Sequence, residues 1–136
     1  MITVLFACVH NAGRSQMAAA FFNELADPSV ARALSAGTDP AAHVHSEVLA
    51  AMNEVGIDLS SAGTRRLTPD LAAQAQWLIT MGCGDQCPLV PGLKHDDWLL
   101  EDPKGQSVEH VRRIRDEVRD RVTELIRRER WASGQP

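Results

Sequence analysis

The sequence predicts an α/β fold in which a single domain, residues 1–136, holds a four-stranded parallel sheet with helices on both faces. Two observations lead to this prediction. Short apolar segments without polar alternation, as in strands buried on both faces, recur along the chain. Segments of helical periodicity separate them, and this alternation is typical of parallel sheets wrapped by crossover helices. The length suits one hydrophobic core, and no long linker divides the chain.

The first half of the chain supplies two strands and two helices. Ile2–Ala7 is an apolar, β-branched run and forms the first predicted strand. Ser15–Leu25 follows as a helix, because apolar residues recur there at helical spacing, and Val30–Ser35 is the second strand. Ser46 can cap a second helix, which Gly56 ends.

The second half begins with Thr68-Pro69, a good cap and first-turn pair for a short helix. Gln76–Met81 is the third predicted strand, and Trp98–Leu100 is a brief fourth. Residues 107–130 are predicted to form a long amphipathic helix with one apolar stripe. Its many arginines and acidic residues are expected to form a solvated face with i,i+4 ion pairs, not a binding surface.

Three chemically reactive side chains follow strands of this predicted sheet. Cys8 follows the first strand, Cys83 the third and Asp102 the fourth. Ligands of open parallel sheets bind beyond the carboxyl ends of the strands, which lie along one edge. We therefore expect these three residues, although distant in sequence, to share that edge.

The segment CVHNAGRS, residues 8–15, joins the first strand to the first helix. A loop in this position can turn successive N–H groups toward one spot above the positive end of the helix, where an oxyanion binds. Ala12 and Gly13 are small enough for tight curvature, and Asn11 tolerates a positive φ. The predicted oxyanion-binding residues are Val9, His10, Asn11, Ala12, Gly13, Arg14 and Ser15.

Cys8 and Arg14 add chemistry to this loop. The arginine fork can hold two oxygens of an anion, and the same positive field favours the thiolate form of Cys8, which is the nucleophilic form. Ser15 can donate a hydrogen bond to the sulfur or to the loop. His10 can add positive charge or form a hydrogen bond at the rim. The alternative interpretation is a buried cysteine at a strand end with a helix-starting arginine nearby.

Cys83 and Cys87 lie in MGCGDQCP, whose glycines and proline predict a loop in which one thiol could swing toward another. Three interpretations are open: half of a zinc site, two thiols without a role, or redox partners of Cys8. Complete zinc sites usually need four ligands and no matching histidine pair is close by, so no metal is expected. In the reducing compartment expected for this chain, three cysteines, an odd number, are expected to be reactive or buried thiols and not a disulfide framework.

The overall composition argues against several classes of function. The net charge of −4 argues against general nucleic-acid binding, which needs a basic surface. No apolar run approaches the roughly 20 residues of a membrane span, and the apolar start lacks the basic leader of a signal peptide. We therefore expect a cytoplasmic protein that acts without nucleic acid or membrane.

The segment CVHNAGRS resembles the active-site loop of the low-molecular-weight protein tyrosine phosphatases, a fold shared with one class of bacterial arsenate reductases. Further segments resemble the reductase branch: RSQMA after the loop, SAGT at 35–38, MGCGDQCP, WLLEDPKGQ at 98–106, and VRRIRDEV in the last helix. The resemblance covers almost the whole chain. It implies a low-molecular-weight phosphatase-like fold and an enzyme of arsenical resistance and detoxification that reduces arsenate.

The resemblance also implies roles for the reactive residues. In these reductases the first cysteine attacks arsenate, a second thiol attacks the first sulfur and releases arsenite, and a third thiol resolves the disulfide. Mapped onto this chain, Cys8 attacks, Cys83 follows, and Cys87 closes a redox-active Cys83–Cys87 disulfide. Asp102, in the sequence EDP, matches the general acid that protonates the departing oxygen, with Glu101 as its neighbouring competitor.

The electron donor is open between thioredoxin and mycothiol with mycoredoxin. Thioredoxin-linked members separate the two later cysteines by a longer loop, and related enzymes instead let mycothiol or glutathione attack the adduct. No bound cofactor is expected. Phosphate or sulfate should mimic arsenate, and the protein is expected to be a monomer.

Two other functions would use the same loop. A phosphatase acting on phosphotyrosine or small phosphomonoesters would form a phosphocysteine, with Arg14 and Asp102 in the same roles. However, the chain has no tyrosine to grip a phenyl ring, the Pro-Lys-Gly after the aspartate is a poor platform, and a phosphatase does not need the later cysteines. An anion-sensing or redox-sensing binding protein is the third alternative. Arsenate reduction is the favoured function.

Overall fold

The computed structural model describes residues 1–82 and 90–133. The strands in these ranges are β1 (Ile2–Cys8), β2 (Ala31–Gly37), β3 (Trp77–Thr80) and β4 (Lys94–Asp97). The helices are α1 (Arg14–Leu25), α2 (Ser46–Glu54), α3 (Pro69–Ala72) and α4 (Val108–Glu129). All strands are parallel, in the order β2-β1-β3-β4, which confirms the predicted architecture.

The central strand β1 is buried on both faces because its side chains point alternately into two apolar clusters. Val4 and Phe6 join the larger cluster with α1, α2 and α4, whereas Leu5 and Ala7 join the smaller one with α3. All four side chains are almost completely buried. Helices therefore cover both faces of the sheet, and β1 ends between them with Cys8.

The fourth strand is displaced from its predicted position. It comprises Lys94–Asp97 instead of Trp98–Leu100, and its four side chains are exposed. Because β4 lies at the sheet edge, it is held by main-chain pairing with β3 and not by burial of its side chains. Trp98 and Leu100 are buried and Leu99 is 78% exposed. This alternation of buried and exposed side chains is typical of a strand, but it lies just after the last residue of β4. The other predicted elements end within two residues of their observed bounds.

The helices begin in two different ways. Thr68 caps α3 as predicted, and Ser107 caps α4, each accepting a hydrogen bond from the backbone N–H three residues ahead. Ser46, however, does not cap α2: it is the first helical residue, and His45 stands at the cap position. The reason is tertiary, because the N–H of His45 donates to the carbonyl of Ala12 at 2.9 Å and thereby fixes where the helix starts.

Two arginines of α4 form ion pairs with Glu54 of α2. Arg115 is buried, and its guanidinium donates to Glu54 at 2.7 Å and to a backbone carbonyl of α2 at 2.9 Å. Arg112 donates to both oxygens of the same carboxylate. The predicted i,i+4 pairing occurs between Glu117 and Arg121, and the buried Arg115 is an exception to the predicted solvated face. The hydrogen bonds of these two guanidiniums connect α4 to α2.

The Glu54→Gln variant is expected to have a lower Tm than the wild type at pH 7, and the difference should disappear in acid. The hydrogen bonds from Arg112 chiefly, together with those from Arg115, lower the pKa of Glu54 from 4.5 to about 2. A carboxyl group whose pKa is lower in the folded state stabilises that state above its unfolded pKa. The contribution is therefore complete above pH 4.5 and is lost as the pH falls toward 2.

Thermal unfolding followed by circular dichroism across this pH range measures the difference. Glu24→Gln is the control, because Glu24 is an exposed carboxylate on α1 and forms no ion pair within the described ranges. A difference in Tm between Glu54→Gln and the wild type that stays constant down to the acid limit would contradict the assignment.

Candidate active site

The loop between β1 and α1 turns its carbonyl groups toward the surrounding chain. Four of them accept hydrogen bonds from the segment 38–45, which wraps around the loop. The pairs of carbonyl and N–H are Cys8 with Thr38 (3.3 Å), Val9 with Asp39 (2.8 Å), His10 with Ala41 (2.9 Å) and Ala12 with His45 (2.9 Å). No described peptide bond is cis, and a trans peptide places its N–H opposite its carbonyl. The N–H groups of these four peptides, which belong to Val9, His10, Asn11 and Gly13, therefore face the inner side of the loop.

The inner side of the loop is a small pocket above the N-terminus of α1. It is lined by Cys8, His10, Ala12, Gly13, Arg14, His45 and Asp102. Within the described residues, no group accepts a hydrogen bond from the backbone N–H groups of residues 9–15. Buried N–H groups are rarely left in this state. Together with the positive end of the helix, these donors form the kind of nest that binds an oxyanion.

Asn11 provides the curvature of the loop. It is completely buried and has a φ of 50°, the left-handed conformation that asparagine tolerates better than most residues. Its side-chain oxygen accepts the backbone N–H of Arg65 at 2.9 Å, and its side-chain amide donates to Ser15 Oγ at 2.8 Å. Hydrogen bonds on both sides of the amide thus hold a backbone conformation that few residues adopt.

Cys8 is buried at the end of β1, with Sγ 2.8 Å from Ser15 Oγ. Since the Asn11 amide already donates to that hydroxyl oxygen, the hydroxyl proton is available to the sulfur. The sulfur therefore accepts a hydrogen bond and lies beside the loop N–H groups and the N-terminus of α1. The arrangement therefore suits a nucleophilic cysteine.

Arg14 is the first residue of α1, and its guanidinium is anchored at the pocket by the segment that follows β4. Nη1 donates to the carbonyl of Leu100 at 3.0 Å, and Nη2 lies 3.9 Å from Asp102 Oδ2. The Arg14 side chain is 12% exposed and that of Asp102 is 47% exposed. The carboxylate therefore lies at the mouth of the pocket, beside the guanidinium.

The segment that follows β4 packs on the loop and places Asp102. Pro103 Cγ lies 2.9 Å from the position that a Cβ on Gly13 would take, so only a glycine allows this close approach. The second carboxylate oxygen of Asp102 accepts a backbone N–H two residues further on, at 3.0 Å. Glu101 instead contacts His110 on α4. Of the two neighbouring carboxylates, Asp102 is therefore the one that faces the pocket.

His45 is a pocket residue that the sequence pattern did not reveal. It precedes α2, and its ring carbon Cδ2 lies 3.7 Å from the position of a Cβ on Gly13. No spacing or motif marks it, because only the packing of the segment 38–45 around the loop brings it there. His10 forms a rim contact, with Nδ1 3.0 Å from the carbonyl oxygen of Asp39, which is one of its two expected roles.

Two of the predicted site residues, Cys83 and Cys87, lie outside the described residues. The described chain reaches Gly82 beside the pocket, where a Cβ would stand 3.3 Å from Arg14 Nη1. The other catalytic candidates meet at the carboxyl end of the sheet.

In the ranges 1–82 and 90–133, no cluster of three His, Cys, Asp or Glu side chains could hold a metal ion, and no helix is long and apolar enough to cross a membrane.

Comparison with protein families identifies a match along nearly the whole chain. The model of the low molecular weight phosphotyrosine protein phosphatase family matches residues 3–132. Among curated proteins, the glutaredoxin arsenate reductase of Synechocystis sp. is 38% identical over 129 residues, which cover 93% of this chain and 97% of that protein. The similarity thus includes both the pocket and the sheet that supports it.

Two solved structures of arsenate reductases have similar folds. The thioredoxin-dependent arsenate reductase of Corynebacterium glutamicum has a TM-score of 0.81 and 39% identity over 96% of this chain, which spans 62% of that protein. An arsenate reductase in the phosphate binding state has a TM-score of 0.82 and 36% identity, covering 94% of this chain and 98% of that one. This chain is therefore similar to reductases in sequence as well as in fold.

Proposed function

This chain belongs to the low molecular weight phosphotyrosine protein phosphatase family, and we propose that it is an arsenate reductase. One observation carries the proposal: a buried sulfur receives a hydrogen bond inside a ring of backbone N–H groups that have no acceptor within the described chain. Curated and solved proteins that are similar over most of the chain are named arsenate reductases. Their names also imply a thiol reductant as the source of electrons.

Arsenate is a tetrahedral oxyanion, and the pocket offers groups complementary to it. The N–H groups of residues 9–15 surround the anion, and the Arg14 fork holds two of its oxygens. Phosphate and sulfate have the same tetrahedral shape, so they bind as mimics. A similar reductase is described in a phosphate binding state, which supports this assignment.

In the first chemical step the sulfur of Cys8 attacks arsenic. A sulfur–arsenic bond forms and an arsenic–oxygen bond breaks, so arsenic keeps its oxidation state in the adduct. The departing oxygen needs a proton to leave as water, and Asp102, beside Arg14 at the pocket mouth, supplies it. Arg14 and the loop N–H groups stabilise the charge on the remaining oxygens.

In the second step a thiolate attacks the sulfur of Cys8. A disulfide bond forms, the sulfur–arsenic bond breaks, and its electron pair stays on arsenic, which leaves as arsenite. On the resemblance to the reductases, we assign this attack to Cys83 and the resolution of the disulfide to Cys87. Each turnover converts two thiols into the Cys83–Cys87 disulfide, which an external reductant must restore.

The external reductant is proposed to be thioredoxin or mycothiol with mycoredoxin. One similar enzyme is thioredoxin-dependent and another is a glutaredoxin arsenate reductase, so glutaredoxin is included in the test. We place the enzyme, as a monomer, in the cytoplasm, where such reductants keep thiols reduced.

Arsenite formation by the purified protein tests the proposed function. Arsenate and NADPH are supplied with thioredoxin and its reductase, with mycothiol, mycoredoxin and mycothiol-disulfide reductase, or with glutathione, glutaredoxin and glutathione reductase. Arsenite release over many turnovers with at least one of these systems is the expected result. Hydrolysis of phosphomonoesters without any arsenite release would assign the chain to the phosphatases instead. Anion binding without any turnover would assign it to the sensors.

Asp102→Asn is expected to lower kcat for arsenite formation about 100-fold and to change KM little. The amide keeps the size of the carboxyl group but has no proton to give to the departing oxygen. Glu101→Gln is the matched control, because this neighbouring carboxylate contacts His110 and not Arg14, and it should keep a kcat close to the wild type. Steady-state kinetics with varied arsenate measure both variants, and equal kcat values for the two would remove Asp102 from the mechanism.

A further inference from the structure

Gln16, in the first turn of α1, binds the back of the oxyanion loop. The side chain is 5% exposed, and its Nε2 lies 3.0 Å from the Asn11 carbonyl oxygen, 3.2 Å from Asn11 Oδ1 and 3.1 Å from the Gly63 carbonyl oxygen. It is not among the residues that line the pocket. Gln16 therefore joins the loop to the segment 63–65 from behind, without reaching the substrate.

Backbone groups, which can only donate or only accept, fix the directions of the hydrogen bonds around Gln16 and Asn11. Backbone carbonyls only accept, so the nitrogen of Gln16, and not its oxygen, must face Asn11 and Gly63. The backbone N–H of Arg65 only donates, and its acceptor is the Asn11 side-chain oxygen at 2.9 Å. The Arg65 N–H, together with the Gln16 NH2 group, whose two hydrogens are shared among three acceptors, holds the Asn11 amide in one of its two orientations.

The orientation of the Asn11 amide decides whether Cys8 Sγ accepts a hydrogen bond from Ser15. With its oxygen occupied by the two donors, the Asn11 amide turns its nitrogen to Ser15 Oγ and donates at 2.8 Å. Ser15 has one hydroxyl proton, and Cys8 Sγ lies 2.8 Å from its oxygen. If the Asn11 amide were turned over, its oxygen would accept that proton. The sulfur would then have to be the donor, which requires a neutral thiol.

We propose that Gln16 is a positioning residue that keeps the sulfur of Cys8 a hydrogen-bond acceptor by locking the amide of Asn11. The inference rests on the proposed function, in which Cys8 is the nucleophile. It concerns the state of the sulfur, however, and makes no use of the identity of the substrate.

The rate at which iodoacetamide alkylates Cys8 measures the reactivity of the sulfur, and the assay needs no arsenate. The rate is read by mass spectrometry on the tryptic peptide 1–14, which substitutions at position 16 leave unchanged. Gln16→Met keeps the length of the side chain but donates no hydrogen bond, so the rate at pH 7 should fall about tenfold. At pH 9.5 the rate should equal that of the wild type, because alkali generates the thiolate without help.

Gln16→Glu gives a second test of the same lock. Its carboxylate can accept from the Asn11 nitrogen and thus favours the reversed amide, so the loss at pH 7 should exceed that of Gln16→Met. Gln74→Met is the matched control for both, because the Gln74 side chain is exposed and, within the described residues, hydrogen-bonds to Arg32 far from the loop; it should react like the wild type.

Two outcomes with the variants would overturn the proposal. One is a rate at pH 7 that is unchanged in Gln16→Met, and the other is an equal loss at pH 7 and pH 9.5, which a collapsed loop would cause. If both variants fail to fold, NMR of the wild type decides: slow exchange of the Gln16 side-chain amide protons supports the lock, and exchange as fast as for Gln74 refutes it. None of these measurements needs turnover, so a failure of the proposed function is distinguishable from a failure of this inference.

Discussion

The Cys8→Ser variant should form no measurable arsenite, which corresponds to a loss in kcat of at least about 10,000-fold with every reductant. The substitution exchanges sulfur for oxygen at the end of β1, and we expect the loop that follows to keep its shape. A serine hydroxyl is protonated at neutral pH, and it cannot form the disulfide through which electrons reach arsenic. Both chemical steps of the proposed mechanism therefore stop at the same residue.

Anion binding should survive in Cys8→Ser. The N–H groups of residues 9–15 and the guanidinium of Arg14 do not depend on the sulfur, so phosphate should bind at least as tightly as to the wild type. Isothermal titration calorimetry with phosphate measures this, and coupled assays measure arsenite. If phosphate binding is retained and turnover is lost, Cys8 is the nucleophile and the loop N–H groups with Arg14 bind the anion independently of it. Arsenite release at a rate comparable to the wild type would exclude Cys8 as the nucleophile.

Gly37→Ala is expected to lower kcat/KM for arsenate about 1,000-fold and to weaken phosphate binding as well. β2 ends at Gly37 against the back of the oxyanion loop. An added Cβ there would lie 2.5 Å from the Val9 carbonyl oxygen and 2.9 Å from the Asn11 nitrogen. Both are backbone atoms in a close-packed interior, so no side-chain rotation relieves the contact. The loop itself must move, and several N–H donors move with it.

Gly56→Ala is the matched control for this variant, because its added methyl group meets no atom within 4 Å. Gly56 has a φ of +83°, so alanine there strains the backbone by about 1 kcal/mol and lowers Tm without touching the loop. Calorimetry with phosphate and thermal unfolding are measured on both variants. Only Gly37→Ala should lose phosphate binding. Comparable losses in both would show that reduced stability, and not the shape of the loop, is responsible.

The elements whose causes are local could be predicted from the sequence. The unbroken apolar run of β1 predicts a strand buried on both faces, and Thr68 marks the start of α3 because its cap bond spans three residues. The oxyanion loop is local in the same sense. Its shape depends on consecutive small residues and on Asn11, whose φ of 50° follows from a conformational tolerance that the residue type itself carries.

Other features were decided only by contacts between residues that are distant in sequence. The polar segment 94–97 is a strand because β3 supplies its hydrogen-bonding partner, and Arg115 is buried because α2 packs against it. His45 enters the pocket, and Gln16 fixes the Asn11 amide, through chain segments that fold back on the loop. The physical reason is the same in each case. Periodicity and propensity report a residue's near neighbours, whereas an edge pairing, a buried ion pair or a hydrogen bond to a distant backbone depends on the path of the whole chain.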